Sequence, residues 1–104
     1  MNRYLEIARE LSAESDHKSQ RMAAVVVKGG AVLSIGINRG TRHAEERALR
    51  PHRNFSGADI YVMRVNGRIS RPCVKCQVKI IAAGIRRAHY VALDGTEVTE
   101  CFRA

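Results

Sequence analysis

The sequence predicts an α/β protein, a three-layer α/β/α sandwich around a five-stranded mixed sheet. Two observations lead to this prediction. Short β-branched apolar runs alternate with helical segments in the order α-β-β-α-β-α-β-β, and two glycine turns, Gly29-Gly30 and Asp94-Gly95, each join a pair of strands. A chain of 104 residues is long enough for one core, so we expect a single domain over residues 1–104.

The first three elements follow from the apolar pattern. An amphipathic helix is predicted over residues 2 to about 14, where four apolar residues share one face: Tyr4, Leu5, Ala8 and Leu11. The run of alanines and valines at 23–27 is continuously apolar, which is typical of a strand that is buried on both faces. The Gly29-Gly30 turn then leads into a second strand over residues 32–38.

Prolines and glycines delimit the remaining elements. A second helix is predicted over residues 43–50, because a helix usually ends before a proline and Pro51 comes next. A third helix is predicted over residues 73–83, with Pro72 suited to its first turn and Gly84 at its C-terminal cap. The remaining strands are predicted over residues 60–65, 89–93 and 96–102, the last antiparallel to its predecessor.

The charge of the chain predicts an anionic partner. There are 18 Lys and Arg against 10 Asp and Glu, a net charge of +8. Such a surplus favours nucleic acid, a nucleotide phosphate or an acidic protein, without choosing between a polymer and a free nucleotide. No apolar run approaches the roughly 20 residues that cross a bilayer, and charged residues interrupt the N-terminal segment. We therefore expect no membrane partner and a cytoplasmic location.

Three residues have the types and the spacing of a zinc site. His43 is predicted to open the second helix, and Cys73 and Cys76 lie in the predicted first turn of the third. A Cys-x-x-Cys pair on a first turn brings both sulfurs to one side, near the positive end of the helix dipole, where the thiolate is stabilised. One imidazole and two thiolates leave the fourth tetrahedral position for water, which is typical of a catalytic zinc site.

Glu45 is predicted to act beside the metal and not as a ligand. Residues i and i+2 of a continuous helix point about 200° apart around its axis. His43 and Glu45 have this spacing, so their side chains would not converge on one ion. A carboxylate there can instead take a proton from a metal-activated water and pass it to a leaving amine. The residues therefore predict addition of water to an amidine-like ring carbon, with loss of ammonia.

Each residue alone also has a plainer interpretation. The cysteines alone are compatible with a redox pair, His43 with a capping or core histidine, and Glu45 with a solvated carboxylate. A closed structural zinc site is the other alternative, and its fourth ligand would come from His52, His89 or Cys101. Cys101 falls in the predicted last strand, so we expect it to be a buried, unreactive thiol.

From residue 21 to about residue 93, the sequence resembles the cytidine and deoxycytidylate deaminase superfamily. Four segments underlie the resemblance: RMAAVVVKGG, SIGIN, HAEERAL and SRPCVKCQVKIIAAGIRR. They contain the His-x-Glu and Pro-Cys-x-x-Cys signature of zinc-dependent nucleobase deaminases. The resemblance implies a cytidine-deaminase-like fold, Glu45 as the proton shuttle, a contact from Asn38 to the sugar or base, and one from the Ala44 amide to the ring edge. It also implies Zn²⁺ on His43, Cys73 and Cys76.

The function implied by the resemblance is hydrolytic deamination of a cytosine base, in cytidine, deoxycytidine or a nucleotide, to uracil. A histidine as first ligand is similar to deoxycytidylate, tRNA adenosine and polynucleotide cytosine deaminases. The antiparallel last strand instead resembles free-cytidine and bacterial toxin deaminases. Two alternatives stay open: a deaminase of cytosine or adenine within single-stranded DNA or RNA, and a non-enzymatic zinc-stabilised module that binds nucleic acid.

Loop residues indicate how a substrate would be held. Four arginines are expected to rim the metal and contact phosphate: Arg39, Arg42, Arg53 and Arg71. Phe55 is the one aromatic residue in a predicted loop, and it is a candidate for stacking on a base. Because the core is small, we expect pockets to be completed by a neighbouring subunit in a homo-oligomer.

Overall fold

The order of helices and strands is confirmed by the computed structural model, which describes residues 2–18, 20–50 and 55–103. The helices are α1 (Arg3–Ser12), α2 (Ala44–Ala48) and α3 (Val74–Ala82). The strands are β1 (Met22–Lys28), β2 (Ala31–Ile37), β3 (Asp59–Arg64), β4 (Arg87–Val91) and β5 (Glu97–Glu100). Within the described ranges, no helix has the length and apolar character that crossing a membrane requires.

The strands form one mixed sheet in the order β2-β1-β3-β4-β5. Strand β1 is antiparallel to both of its neighbours, and Val25 lies between Ile35 of β2 and Tyr61 of β3. Strands β3 and β4 are parallel, and α3 connects them because parallel neighbours need a long crossover. Strand β5 returns antiparallel to β4 after the Asp94-Gly95 turn, as predicted.

Helices cover both faces of the sheet, which confirms the three layers. Helix α1 packs on one face, in a cluster formed by Leu5, Ala8, Val25, Val27, Tyr61, Met63 and Val91. Helices α2 and α3 pack on the other, in a cluster that includes Ala24, Val26, Ala44, Ala48, Ile60, Val62 and Ile80. Strand β1 contributes alternate residues to the two clusters, so its central residues are buried on both faces, as its continuous apolar run predicts.

Two helices begin one residue later than predicted, and this changes the role of the residue before them. His43 (φ −73°, ψ 156°) and Cys73 (φ −68°, ψ 165°) are the N-caps of α2 and α3 and have extended backbones. Pro72 therefore precedes the cap and does not lie in the first turn. Helix α2 ends at Ala48, before the predicted end at residue 50, and Pro51 lies outside the described residues.

Other boundaries also shift by one or two residues. Asn2 is the N-cap of α1, and its side-chain oxygen accepts hydrogen bonds from the backbone N–H groups of Tyr4 (2.8 Å) and Leu5 (3.4 Å). Strand β4 begins two residues earlier than predicted. Strand β5 ends at Glu100, so Cys101 follows the strand instead of lying within it.

The close packing of α2 on the sheet depends on Gly36. A Cβ atom at this position would lie 2.2 Å from the backbone oxygen of Ala44 and 2.3 Å from the backbone nitrogen of Ala48. We expect Gly36→Ala to lower the free energy of unfolding by about 3 kcal/mol or more, because no side-chain rotation relieves a clash with backbone atoms. Chemical denaturation measures this loss.

A matched control for Gly36→Ala is Ile35→Thr on the adjacent residue, which is 48% exposed. The control keeps a β-branched side chain and should change the free energy of unfolding by less than about 1 kcal/mol. Equal losses in the two variants would contradict a special role for the close approach at Gly36.

Candidate metal centre

The structure brings the three sequence-predicted ligands together. The ligand atoms of His43, Cys73 and Cys76 all lie within 4.8 Å of one another. Nδ1 of His43 is 3.3 Å from Sγ of Cys76 and 3.7 Å from Sγ of Cys73. Atoms bound at about 2.0–2.3 Å to one tetrahedral zinc ion lie roughly 3.5 Å apart, so the spacing of these three atoms fits such an ion.

The caps of two helices position these side chains. Neither His43 nor Cys73 uses its side chain to cap its own helix, which leaves the imidazole and the thiol available to a metal. Cys76 lies in the first turn of α3, on the same side of the helix start as Cys73. An ion pair between Lys79 of α3 and Glu46 of α2 (2.9 Å) links the two helices.

The electrostatics of the group favour a divalent cation. Cys76 is fully buried, and this burial raises the pKa of its thiol, as do the neighbouring Glu45 carboxylate and Cys73. A bound cation opposes that effect, because its positive charge stabilises the coordinating thiolate. A donor set of one imidazole and two sulfurs matches the preference of zinc, so the residues present fit the ion.

Glu45 lies beside this group, in the first turn of α2, and is 3% exposed. Burial raises the pKa of its carboxyl above the ordinary value, against the lowering effects of backbone hydrogen bonding, His43 and a hydrogen bond with Cys76. Because His43 has an extended backbone, the predicted separation of 200° does not apply to the pair. Among the described residues, the ligand atoms that lie close enough together to bind one ion nevertheless come from His43, Cys73 and Cys76 and not from Glu45.

A cleft of about 180 Å³ adjoins the group. It is lined by Gln20, Met22, Asn38, His43, Ala44, Glu45, Arg64, Arg71 and Cys73. Ligand pockets that enclose a whole drug-sized molecule are usually about 300–1,000 Å³. This cleft therefore suits a single ring beside the metal group, with the rest of a larger substrate outside it.

The two residues predicted to contact substrate both line the cleft. Asn38 is buried, and its side chain accepts a hydrogen bond from the Met22 backbone N–H (2.9 Å) and donates one to the Gln20 carbonyl. It therefore holds the start of β1 and the residues just before it in place. Ala44 is buried at the start of α2. Contact of either residue with a substrate stays a prediction.

Two predictions about the rim are wrong. Arg39 and Arg42, which form a backbone bridge with each other, do not line the cleft. Phe55 is 1% exposed and packs in the core, so it offers no platform for a base. Arg71 does line the cleft, whereas Arg53 lies outside the described residues.

Arg64 is a cleft residue that the sequence analysis missed. It is the last residue of β3, and it pairs with Met22 of β1. Its position in a predicted strand gave no local signal of function. Only the register between β1 and β3 brings it beside Met22 and Asn38.

Within the described residues, no fourth protein ligand joins the group. His89 is engaged elsewhere: its Nε2 lies 2.7 Å from Asp59 Oδ2 and its Nδ1 lies 2.9 Å from Thr99 Oγ1. Cys101 is exposed, so the prediction of a buried thiol is wrong, and it lies outside the metal group. His52 falls outside the described residues. Three described ligands are what a catalytic zinc site uses.

Comparisons with known proteins agree with the geometry of the site. The family model for the cytidine and deoxycytidylate deaminase zinc-binding region matches residues 1–92. The chain is 28% identical to an uncharacterized deaminase in the luxG 3′ region of Aliivibrio fischeri, over 84% of this chain and 69% of that protein.

Two solved structures are also similar to this fold. The crystal structure of the dCMP deaminase from cyanophage S-TIM5 is 25% identical with a TM-score of 0.69, over 82% of this chain and 76% of that one. A Thermotoga maritima diaminohydroxyphosphoribosylaminopyrimidine deaminase/5-amino-6-(5-phosphoribosylamino)uracil reductase is 25% identical with a TM-score of 0.64, over 82% of this chain and 27% of that one.

Proposed function

The chain belongs to the cytidine and deoxycytidylate deaminase family, and on this premise we propose that it hydrolyses a cytosine base, in a nucleoside or its nucleotide, to uracil and ammonia. One observation supports the proposal most directly. The Nδ1 atom and two thiol sulfurs of His43, Cys73 and Cys76 converge next to the buried carboxyl of Glu45, at a cleft of about 180 Å³. This is the donor set and the proton-transfer group that hydrolytic deamination requires.

His43, Cys73 and Cys76 would hold the zinc ion through one imidazole nitrogen and two sulfurs. When bound, zinc would lower the pKa of a coordinated water, so that a nucleophile is available near neutral pH. These ligands lie at the starts of α2 and α3, and the charge of a bound ion would offset the burial that raises the pKa of the Cys76 thiol. The protein thereby provides the metal with a site that the helix starts organise in advance.

Glu45 would move the protons of the reaction. Its carboxylate takes a proton from the attacking water as the bond from oxygen to C4 of the base forms and the C4–N3 double bond opens, and it passes that proton to N3. It then takes the proton of the new hydroxyl group and delivers it to the amino nitrogen, so that the C4 carbonyl forms as the bond from C4 to nitrogen breaks and ammonia leaves. Burial raises its pKa, which brings the carboxyl closer to the pH at which one group can both accept and donate a proton.

The cleft supports a base as the group that is bound beside the metal. Its size suits one ring, and the buried Ala44 and Asn38 line it. We infer that the Ala44 amide contacts the ring edge and that Asn38 contacts the sugar or base. Asn38 is held in place by its side-chain hydrogen bonds with the backbones of Gln20 and Met22, at the start of β1.

A substrate panel tests the proposed function. Zinc-loaded protein is mixed with cytidine, deoxycytidylate, adenosine and single-stranded DNA, and ammonia release is measured. We expect release from cytidine or deoxycytidylate. Release from adenosine alone would overturn the choice of cytosine, and release from single-stranded DNA alone would overturn the choice of a free substrate. Zinc-loaded protein without activity on any substrate would favour a binding module. A homo-oligomer and a cytoplasmic location stay predictions.

A further inference from the structure

A buried serine links two strands where their pairing ends. The parallel ladder between β3 and β4 ends at the pair of Tyr61 and His89, although both strands continue. Beyond that pair, the Ser70 hydroxyl donates a hydrogen bond to the Val62 carbonyl of β3 (2.7 Å) and accepts one from the Val91 N–H of β4 (2.9 Å). The Ser70 N–H also donates to the Val91 carbonyl (2.9 Å). Ser70 therefore bridges the two strands after they stop pairing with each other.

The bridge depends on the hydroxyl group and not only on the small size of serine. Ser70 is 1% exposed, and Val62 and Val91 are buried as well. A side chain without a hydroxyl would leave the Val62 carbonyl and the Val91 N–H without this partner. Buried backbone groups that lose a hydrogen-bond partner are unfavourable, so the surrounding chain would shift to satisfy them.

The bridge lies three residues before the metal ligand Cys73. Of the two residues between Ser70 and Cys73, Pro72 is buried, and its ring restricts its φ angle. The Pro72 carbonyl accepts a hydrogen bond from the Gln77 side chain of α3 (2.9 Å). This short and restrained connection ties the start of α3 to the two strands at Ser70.

The position of Cys73 depends on this connection more than that of Cys76 does. Cys76 is fully buried within α3, so core packing holds it. Cys73 is an exposed N-cap whose side chain makes no capping hydrogen bond. A second link nearby, the ion pair of Arg71 with Glu100, joins side chains that are 44% and 34% exposed, and such pairs contribute little. Ser70 is therefore the stronger anchor of this segment.

We propose that Ser70 is a positioning residue for the metal group: its hydroxyl holds the segment before α3 and thereby places the Cys73 sulfur relative to His43 and Cys76. This inference rests on the zinc site of the proposed function. The Cys73 Sγ lies 3.7 Å from Nδ1 of His43, close to the roughly 3.5 Å that separates two ligands of one tetrahedral zinc ion. Residues that orient metal ligands without touching the ion typically change metal affinity by about 10–100-fold.

Ser70→Ala tests the inference through metal binding, which requires no turnover. Competition with a chromophoric chelator measures zinc affinity, and the visible absorption bands of the Co²⁺-loaded protein report the geometry of the ligands. We expect Ser70→Ala to bind zinc at least about 10-fold more weakly than the unmodified protein. At saturating Co²⁺, its absorption bands should be shifted or weakened, because the Cys73 sulfur is displaced.

The matched control is Ser12→Ala, the same chemical change at another buried serine. Ser12 is in α1, on the opposite face of the sheet from α2 and α3, and its hydroxyl donates to the Arg9 carbonyl. A loss of stability there can lower apparent zinc affinity only through the coupling of metal binding to folding. We therefore expect Ser12→Ala to keep the Co²⁺ absorption bands of the unmodified protein.

A second pair of variants separates the hydroxyl from the size of the side chain. Ser70→Thr and Ser70→Val have side chains of nearly the same shape, but only threonine keeps the hydroxyl. We expect Ser70→Thr to retain the Co²⁺ absorption bands and Ser70→Val to change them as Ser70→Ala does. Equal bands in the threonine and valine variants would overturn the role of the hydroxyl.

The possible results also separate this inference from the proposed function. Unchanged zinc affinity and Co²⁺ bands in Ser70→Ala, in a protein whose unmodified form deaminates a cytosine substrate, would overturn the inference and leave the function intact. A Ser70→Ala variant that is unfolded at saturating metal would make Ser70 a residue of the general fold, which also overturns the inference. Absence of deamination on every cytosine substrate by the zinc-loaded, unmodified protein would overturn the function itself.

Discussion

Glu45→Gln is expected to reduce deamination by at least about 10²–10⁴-fold, while zinc content and fold stay intact. The substitution keeps the size of the side chain but removes its ability to accept a proton from water or to deliver one to the leaving amine. Zinc should remain, because Glu45 lies outside the group of mutually close ligand atoms among the described residues. Ammonia release, measured together with zinc content, tests both halves of the prediction.

The matched control is Glu46→Gln, on the next residue of α2. Glu46 pairs with Lys79 (2.9 Å) and with Lys75 (4.0 Å) and does not line the cleft. Its loss should lower stability by no more than about 1 kcal/mol and leave turnover nearly unchanged. Near-normal turnover of Glu45→Gln would show that another group moves the protons. Complete loss of zinc from that variant would make Glu45 a ligand.

Cys73→Ser and Cys76→Ser are each expected to weaken zinc binding by more than about 100-fold. Loss of a residue that only hydrogen-bonds to a metal ligand already lowers metal affinity by about 10–100-fold, and here the ligand itself is lost. Stability should fall together with zinc content, since metal binding is coupled to folding. The loss of stability should be larger for Cys76→Ser, because Cys76 is fully buried whereas Cys73 is exposed.

Cys101→Ser provides the same chemical change outside the metal group. Cys101 is exposed, so this variant should bind one zinc ion per chain and unfold at the temperature of the unmodified protein. Elemental analysis and thermal unfolding, with and without a chelator, measure the two effects. A Cys76→Ser variant that keeps its zinc, or an unmodified protein that is well folded without any metal, would contradict the proposed site.

The element order could be predicted from the sequence because each element has a local signal. The continuous apolar run of β1 and the two glycine turns depend only on neighbouring residues. The exact ends were less predictable. The sequence predicts His43 and Cys73 inside helices, whereas both are extended N-caps, because the apolar and proline patterns do not specify the backbone angles of the residue before a helix.

The sequence by itself determined the chemical types and close spacing of the candidate metal residues, since His-x-Glu and Cys-x-x-Cys are local patterns at helix starts. Tertiary structure decided which other residues reach the cleft. Arg64 lies there through the register of β1 and β3, and Arg71 is oriented by Glu100, 29 residues away in the chain. Phe55 instead packs in the core. The surroundings of these three residues depend on how the strands pair and the helices pack. Such contacts join residues that are far apart in the chain, so they leave no local pattern in the sequence.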